Sequence, residues 1–195
     1  MVVISLSSLR AGEAIALFDG KSLQGWKANQ DAAIWSVRDG CLIGENNARM
    51  SGSILWTEQH VADYAFVFET EFLFDGNIDS GIFLREENEQ IQIGISRSLQ
   101  RDMTGSPYIA DKRGYPAEAK EVAAVLKKNA WNQLRIEVHG ARYQVALNGK
   151  SVLDFTSEGK IARGPIGLQV HPGVAMKIAF RQLKLTPLSA RAPQN

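Results

Sequence analysis

Hydrophobic and polar residues alternate with a period of two along most of the chain. In Phe66-Val67-Phe68-Glu69-Thr70-Glu71-Phe72-Leu73-Phe74 the phenylalanines hold even positions, while Glu69 and Glu71 hold odd ones. Gln90-Ile91-Gln92-Ile93-Gly94-Ile95 sets its isoleucines against Gln90, Gln92 and Gly94. Leu134–His139 and Tyr143–Leu147 alternate in the same way. In Ile166–His171, Ile166, Leu168 and Val170 face one way, and Gln169 and His171 the other. Met176, Ile178 and Phe180 form one more apolar set. Such runs are strands with one face in a core. The pattern predicts Phe66, Phe68, Ile91, Ile93, Leu168 and Val170 buried. It predicts Gln90, Gln92, Gln169 and His171 at least partly exposed.

Turn residues join these runs into antiparallel pairs. Asn148-Gly149 and Asp39-Gly40 each separate two strand-like runs and tolerate the positive φ that a two-residue hairpin needs. Asp19-Gly20 and Asp75-Gly76 are further turn signals. Only Ala117 to Lys128 has a helical look, enough for one or two turns. Many short antiparallel strands with few helices predict an all-β, two-sheet antiparallel β-sandwich or jelly roll. The outer face of a curved sheet in such a fold offers a groove for an extended ligand.

The chain has 195 residues, 45% of them hydrophobic and 22% charged, with a net charge of +1. These values exclude a disordered or fibrous chain. A near-neutral balance without a basic run argues against nucleic acid as a partner. No apolar stretch approaches the length of a spanning helix, so no membrane span is expected. Cys41 is the only cysteine, which excludes an internal disulfide and a thiolate metal site and predicts a buried structural thiol. Residues 1–15 read as a frayed start or the remnant of a signal peptide, residues 16–187 as one β-sandwich domain, and residues 188–195 as a disordered tail. The N-terminal pattern leads to the expectation of a secreted or periplasmic protein, with a cytoplasmic one left open.

Motifs for phosphate loops, zinc proteases and serine nucleophiles are missing. Glu69 and Glu71 share a strand face roughly 7 Å apart, which approaches the spacing of an inverting glycosidase pair. A solvated outer face is the preferred reading of that pair. Gln90 and Gln92 on one strand, and Gln169 and His171 on another, suit sugar hydroxyls because each both donates and accepts. Arg85 ends Gly81-Ile82-Phe83-Leu84-Arg85 and is expected to reach the same groove. His60 and His139 are expected at the surface. Trp26, Trp35, Trp56 and Trp131 are candidate stacking platforms, most of them expected in the core or beneath loops.

Five motifs in order resemble one known family. Leu17-Phe18-Asp19-Gly20-Lys21-Ser22-Leu23-Gln24-Gly25-Trp26 is similar to its opening LFDGKSLxGW. Ser80–Arg85 is similar to its NSGIFLR strand. Trp131-Asn132, Arg135-Ile136 and Leu147-Asn148-Gly149 follow its WNxxRI…LNG stretch. Gly164–His171 resembles GPIGLQxH, and Phe180–Lys184 resembles FRNIRI. This is the 3-keto-disaccharide hydrolase domain family, a concanavalin-like jelly roll, and the resemblance spans about residues 16 to 186. Many members read Tyr-Glu-Val-Gln-Ile where this chain has Glu89-Gln90-Ile91-Gln92-Ile93, so Gln90 stands in place of a glutamate and cannot take a proton.

The resemblance implies cleavage of 3-keto-glycosides by enolisation, elimination and hydration. In that chemistry His171 is the candidate base and Arg85 or a divalent cation the stabiliser of the enolate. Gln90, Gln92 and Gln169 are then the substrate-binding residues. Asp79 and Asp102 are candidate ligands for a hard cation. The metal site itself is not fixed by the sequence. The expected partner is a carbohydrate. A non-catalytic carbohydrate-binding module on the same sandwich is the alternative, and an envelope structural domain the third reading.

Overall fold

The computed structural model describes residues 12–59, 62, 64–112, 114–158 and 163–189. Most of the expected N-terminal segment and tail, and His60, lie outside the described residues. Two antiparallel sheets face each other. The first runs β13 (Lys150–Thr156), β12 (Arg142–Leu147), β11 (Asn132–His139), β6 (Ala65–Phe74), β15 (Lys177–Pro187), β4 (Cys41–Glu45), β3 (Trp35–Arg38), with β1 (Ile15–Ala16) paired onto β15. The second runs β10 (Pro107–Ile109), β8 (Glu89–Ser96), β7 (Asp79–Leu84), β14 (Ile166–Val170), β5 (Ser53–Thr57), β2 (Trp26–Ala28), with β9 (Arg101–Asp102) paired onto β8. The only α-helical turn among the described residues is Val122–Val125, inside the segment expected to be helical.

The two predicted hairpins have the expected turns. Asp39 and Gly40 take φ of 49° and 74°, and Asn148 and Gly149 take 50° and 83°. The flanking pairs Arg38↔Cys41 and Leu147↔Lys150 leave two residues in each loop. Positive φ at both central residues matches the twist of the strands, which is why these dipeptides close hairpins.

The core lies between the sheets. Phe66, Phe68, Phe72 and Phe180 from the first sheet are fully buried, as are Ile82, Ile91, Ile93 and Leu168 from the second. Burying each such side chain contributes about 1.5–3 kcal/mol. Val170 completes the predicted inward set at 1% exposure. Cys41 is buried, and burial pushes its thiol pKa up, as an inert structural thiol requires.

On the outer face of the first sheet, Glu71 pairs with Arg181 at 2.5 Å and Glu69 with Arg135 at 3.8 Å. Arg181 also lies over the Trp131 ring, 4.0 Å from its centroid. This solvated ladder of charge pairs is the preferred reading of the two glutamates. His139 belongs to it through Glu137, 2.8 Å away.

Candidate functional site

The outer face of the second sheet carries the site. Ladder register sets Tyr108 beside Gln90, Gln90 beside Phe83, and Phe83 beside Gly167. One step along, Gln92 pairs with Gly81 and Asp79 with Gly94. The alternation that buries Ile82, Ile91 and Leu168 therefore turns Asp79, Phe83, Gln90, Gln92 and Gln169 to the opposite side. A cavity of about 230 Å³ opens there. Gln90, Gln92, Gln169 and His171 all line it.

Two expectations need correction. Gln90 and Gln92 are not partly exposed but buried, at 6% and 1%. They form the cavity floor, and the walls that cover them, Tyr108, Tyr115 and the Ser96–Ser98 segment, come from other parts of the chain. Arg85 does not reach the cavity. Its φ of 73° breaks the alternation of β7 and turns the side chain to the inner face, where it is 4% exposed. Gly164 permits this turn, because a Cβ there would collide with the Arg85 carbonyl.

The floor amides have a fixed polarity. The Asp79 carboxylate, buried at 5%, can only accept, so Gln92 must offer it Nε2, at 2.8 Å. Gln92 Oε1 then accepts from Gln90 Nε2 at 3.2 Å. That leaves Gln90 Oε1 as a buried acceptor with no protein partner, and Gln169 Oε1 is in the same condition. Gly81 makes the arrangement fit. An ideal Cβ there would lie 2.6 Å from Gln90 Oε1.

His171, half-buried, follows β14 at the cavity wall. Its Nδ1 lies 2.7 Å from the Pro172 carbonyl. A carbonyl only accepts, so Nδ1 is the donor in this contact, and in the neutral imidazole Nε2 is then the nitrogen with the lone pair. Arg97 Nη1 donates to the same carbonyl at 3.0 Å, which holds the guanidinium within about 6 Å of the imidazole. Arg97 is thus the cation at the cavity, in the place expected for Arg85. No strand alternation marks it, because it lies in a turn.

Tyr115 and Tyr108, in edge-to-face contact at 5.2 Å, close one side. Burial, opposed by the Ser96 hydroxyl and reinforced by Asp79, pushes the Tyr115 phenol up to about 12. It therefore stays a neutral donor at physiological pH.

The two carboxylates expected as cation ligands both have protein partners. Asp79 is engaged by Gln92 and by the Arg97 N–H at 3.2 Å, and Asp102 Oδ1 accepts from Thr104 N–H at 2.8 Å. Among the described residues no three His, Cys, Asp or Glu side chains cluster as metal ligands do. No helix among them is long and apolar enough to cross a membrane.

This is a two-sheet jelly roll whose polar cavity lies on an outer sheet face. The chain belongs to the 3-keto-alpha-glucoside-1,2-lyase-like domain family, whose model matches residues 13–186, and so to a family defined by carbohydrate chemistry. No curated protein matches it. A protein of Parabacteroides distasonis, provisionally named a glycosyl hydrolase, is 24% identical with a TM-score of 0.65, over 90% of this chain and 100% of that one. The carbohydrate-binding module CBM66 of Bacillus subtilis is 16% identical with a TM-score of 0.56, over 82% and 94%. The lumenal domain of VIP36, bound to calcium and Man3GlcNAc, is 9% identical with a TM-score of 0.70, over 93% and 90%. These likenesses are likenesses of fold.

Proposed function

We propose that the cavity binds the oxidised ring of a 3-keto-glycoside and that the protein cleaves it by elimination and hydration. The observation that carries this reading is the convergence of Gln90, Gln92, Gln169 and His171 on one cavity whose floor holds unpartnered acceptors. A buried acceptor without a partner costs about 1–3 kcal/mol, which a sugar hydroxyl relieves once the amide turns toward it.

A ketone at C3 acidifies the C2–H bond. His171 Nε2 takes that proton, and the electron pair of the C–H bond becomes the enolate. Arg97 and the Tyr115 hydroxyl supply positive charge and a donor for the oxyanion. The enolate then reforms the ketone, the C1–C2 double bond forms, and the C1–O bond breaks. The leaving oxygen takes the proton from His171. Water adds at C1 and a proton returns to C2, so the net change is hydrolysis.

The test is incubation with 3-keto-glucosides, with and without chelator, following aglycone release. Release that requires His171 supports the reading, and release abolished by chelator adds a cation to it. The cavity floor also favours a second reading, a non-catalytic binding module, since Gln90 and Gln92 bring amides, which take no proton. Tight binding of the glycoside without release decides for that reading.

A further inference from the structure

We propose that Trp56 forms a second sugar subsite beside the cavity, which stacks the ring that leaves during cleavage. The proposal rests on the reading of the cavity as a keto-sugar site.

Three of the four tryptophans are already accounted for. Trp26 is buried and donates to the Leu17 carbonyl at 2.8 Å, and Trp35 is buried and donates to Ser53 Oγ at 3.0 Å. Trp131 is covered by Arg181. Trp56 is different. It lies on β5 between Leu55, which faces the core, and Thr57, and its side chain stands on the cavity side of the sheet, half-buried.

The ring lies flat on Gly167, its partner in register on β14. An ideal Cβ at Gly167 would meet Cζ3, Cε3 and Cη2 of the indole at 2.6, 2.7 and 2.9 Å. Three ring atoms at nearly equal distance mean face-on contact, which any larger residue at position 167 would abolish. Phe83 flanks the indole at 5.5 Å and 42°. With one face on the glycine and Phe83 tilted beside the ring, the opposite indole face is the one left for a ligand.

Phe83 also lines the cavity, so the platform begins where the cavity wall ends. Gln90 and Trp56 are three strands apart in the sheet order, about 14 Å at the usual strand spacing. That is a disaccharide's reach. Exposed Lys27, paired with Trp56 on β2, bounds the far rim and can donate to ring hydroxyls. An aromatic face takes the apolar C–H face of a pyranose, whereas the amide floor takes hydroxyls. The site thus reads as a polar subsite for the keto ring and a stacking subsite for the departing sugar.

The experiment compares binding of a 3-keto-disaccharide and methyl 3-keto-glucoside to the wild type, Trp56→Ala, Trp56→Phe and Gln90→Ala by calorimetry, with thermal melts as a check on folding. Trp56→Ala is expected to weaken the disaccharide about tenfold and leave the methyl glycoside unchanged. Trp56→Phe, which keeps a smaller ring, should fall between and decides the matter if the alanine variant unfolds. Gln90→Ala should weaken both ligands. Equal losses on both ligands, or none, at Trp56 overturn the stacking subsite while the cavity reading stands. A wild type that binds neither ligand overturns the cavity reading and the subsite with it.

Discussion

Asp79 sets the orientation of Gln90 without touching it. The carboxylate accepts from Gln92, Gln92 accepts from Gln90, and Gln90 Oε1 is left unpartnered at the cavity floor. The polarity of the chain follows from the fact that only its first member cannot donate. Asp79→Asn removes that constraint, since an amide at position 79 can meet Gln92 either way round. The variant is expected to fold with an unchanged cooperative melt and to bind a 3-keto-glycoside about tenfold more weakly, the contribution of one well-oriented hydrogen bond. Calorimetry checks it. Undiminished affinity would mean that the amide polarity is held by something else.

Arg85 lies on the inner side of the sheet, away from the cavity. Its guanidinium donates to the Gly140 carbonyl at 3.2 Å and to the Tyr143 hydroxyl, and that hydroxyl donates to Glu89. Ser157 Oγ donates to the other Glu89 oxygen at 2.5 Å. Arg85 and Glu89 come from the cavity sheet, whereas Tyr143, Gly140 and Ser157 come from the facing one, so the cluster ties the two layers. Glu89→Ala leaves the Tyr143 phenol without its acceptor and the buried Arg85 guanidinium without the carboxylate charge that shares its Tyr143 partner. Breaking such a buried charged network costs about 3–5 kcal/mol, or a fall in melting temperature of very roughly 6–20 °C in a domain of this size. A loss of under 2 °C in a thermal scan would show that solvent reaches the cluster.

Most of the architecture was legible in the sequence because a strand with one buried face has a period-2 signature, and Asp-Gly and Asn-Gly mark their hairpins. The shared face of Gln90, Gln92, Gln169 and His171 was legible for the same reason. Arg85 was not. Alternation assumes extended backbone at every residue, and a left-handed arginine at the end of β7 defeats it. The burial of Gln90 and Gln92 was hidden because the covering tyrosines, Tyr108 and Tyr115, come from an edge strand and a loop whose folding over the sheet has no periodic signal. Arg97 was missed on the same ground.

The phenols of Tyr115 and Tyr143 give the protein a distinctive alkaline behaviour. Burial pushes Tyr115 up to about 12 from 10, and pushes Tyr143 further in the same direction, with Arg85 opposing and Glu89 adding to the rise. A phenol whose folded pKa is raised binds its proton more tightly in the folded state. Its contribution is complete below the unfolded value near 10 and is lost as pH rises through the folded value. Stability is therefore expected to decline between about pH 10 and 12. Phenolate absorbance should show these two rings ionising last, together with unfolding. Tyr115→Phe and Tyr143→Phe should each flatten part of that decline. A profile unchanged in both variants would show that neither phenol is sheltered.

His171 offers the sharpest test of the chemistry, because it bears on one proton. With Nδ1 held by the Pro172 carbonyl, Nε2 is the nitrogen left to act at the cavity wall. If it removes the C2 proton, a 3-keto-glycoside incubated with the protein in D2O exchanges that hydrogen faster than the glycosidic bond breaks or at the same rate. His171→Ala should suppress exchange and aglycone release together, by about 10²–10⁴-fold, the usual contribution of a general base. Its melting temperature should stay within a few degrees, since a half-buried side chain at a strand end carries little packing energy. Gln90→Ala, in contrast, should raise KM and leave the exchange rate of bound substrate within a few-fold, because the amide binds and does not move the proton. Exchange that survives in His171→Ala would assign the proton to another group and leave the imidazole a structural part of the Pro172-Gly173 turn.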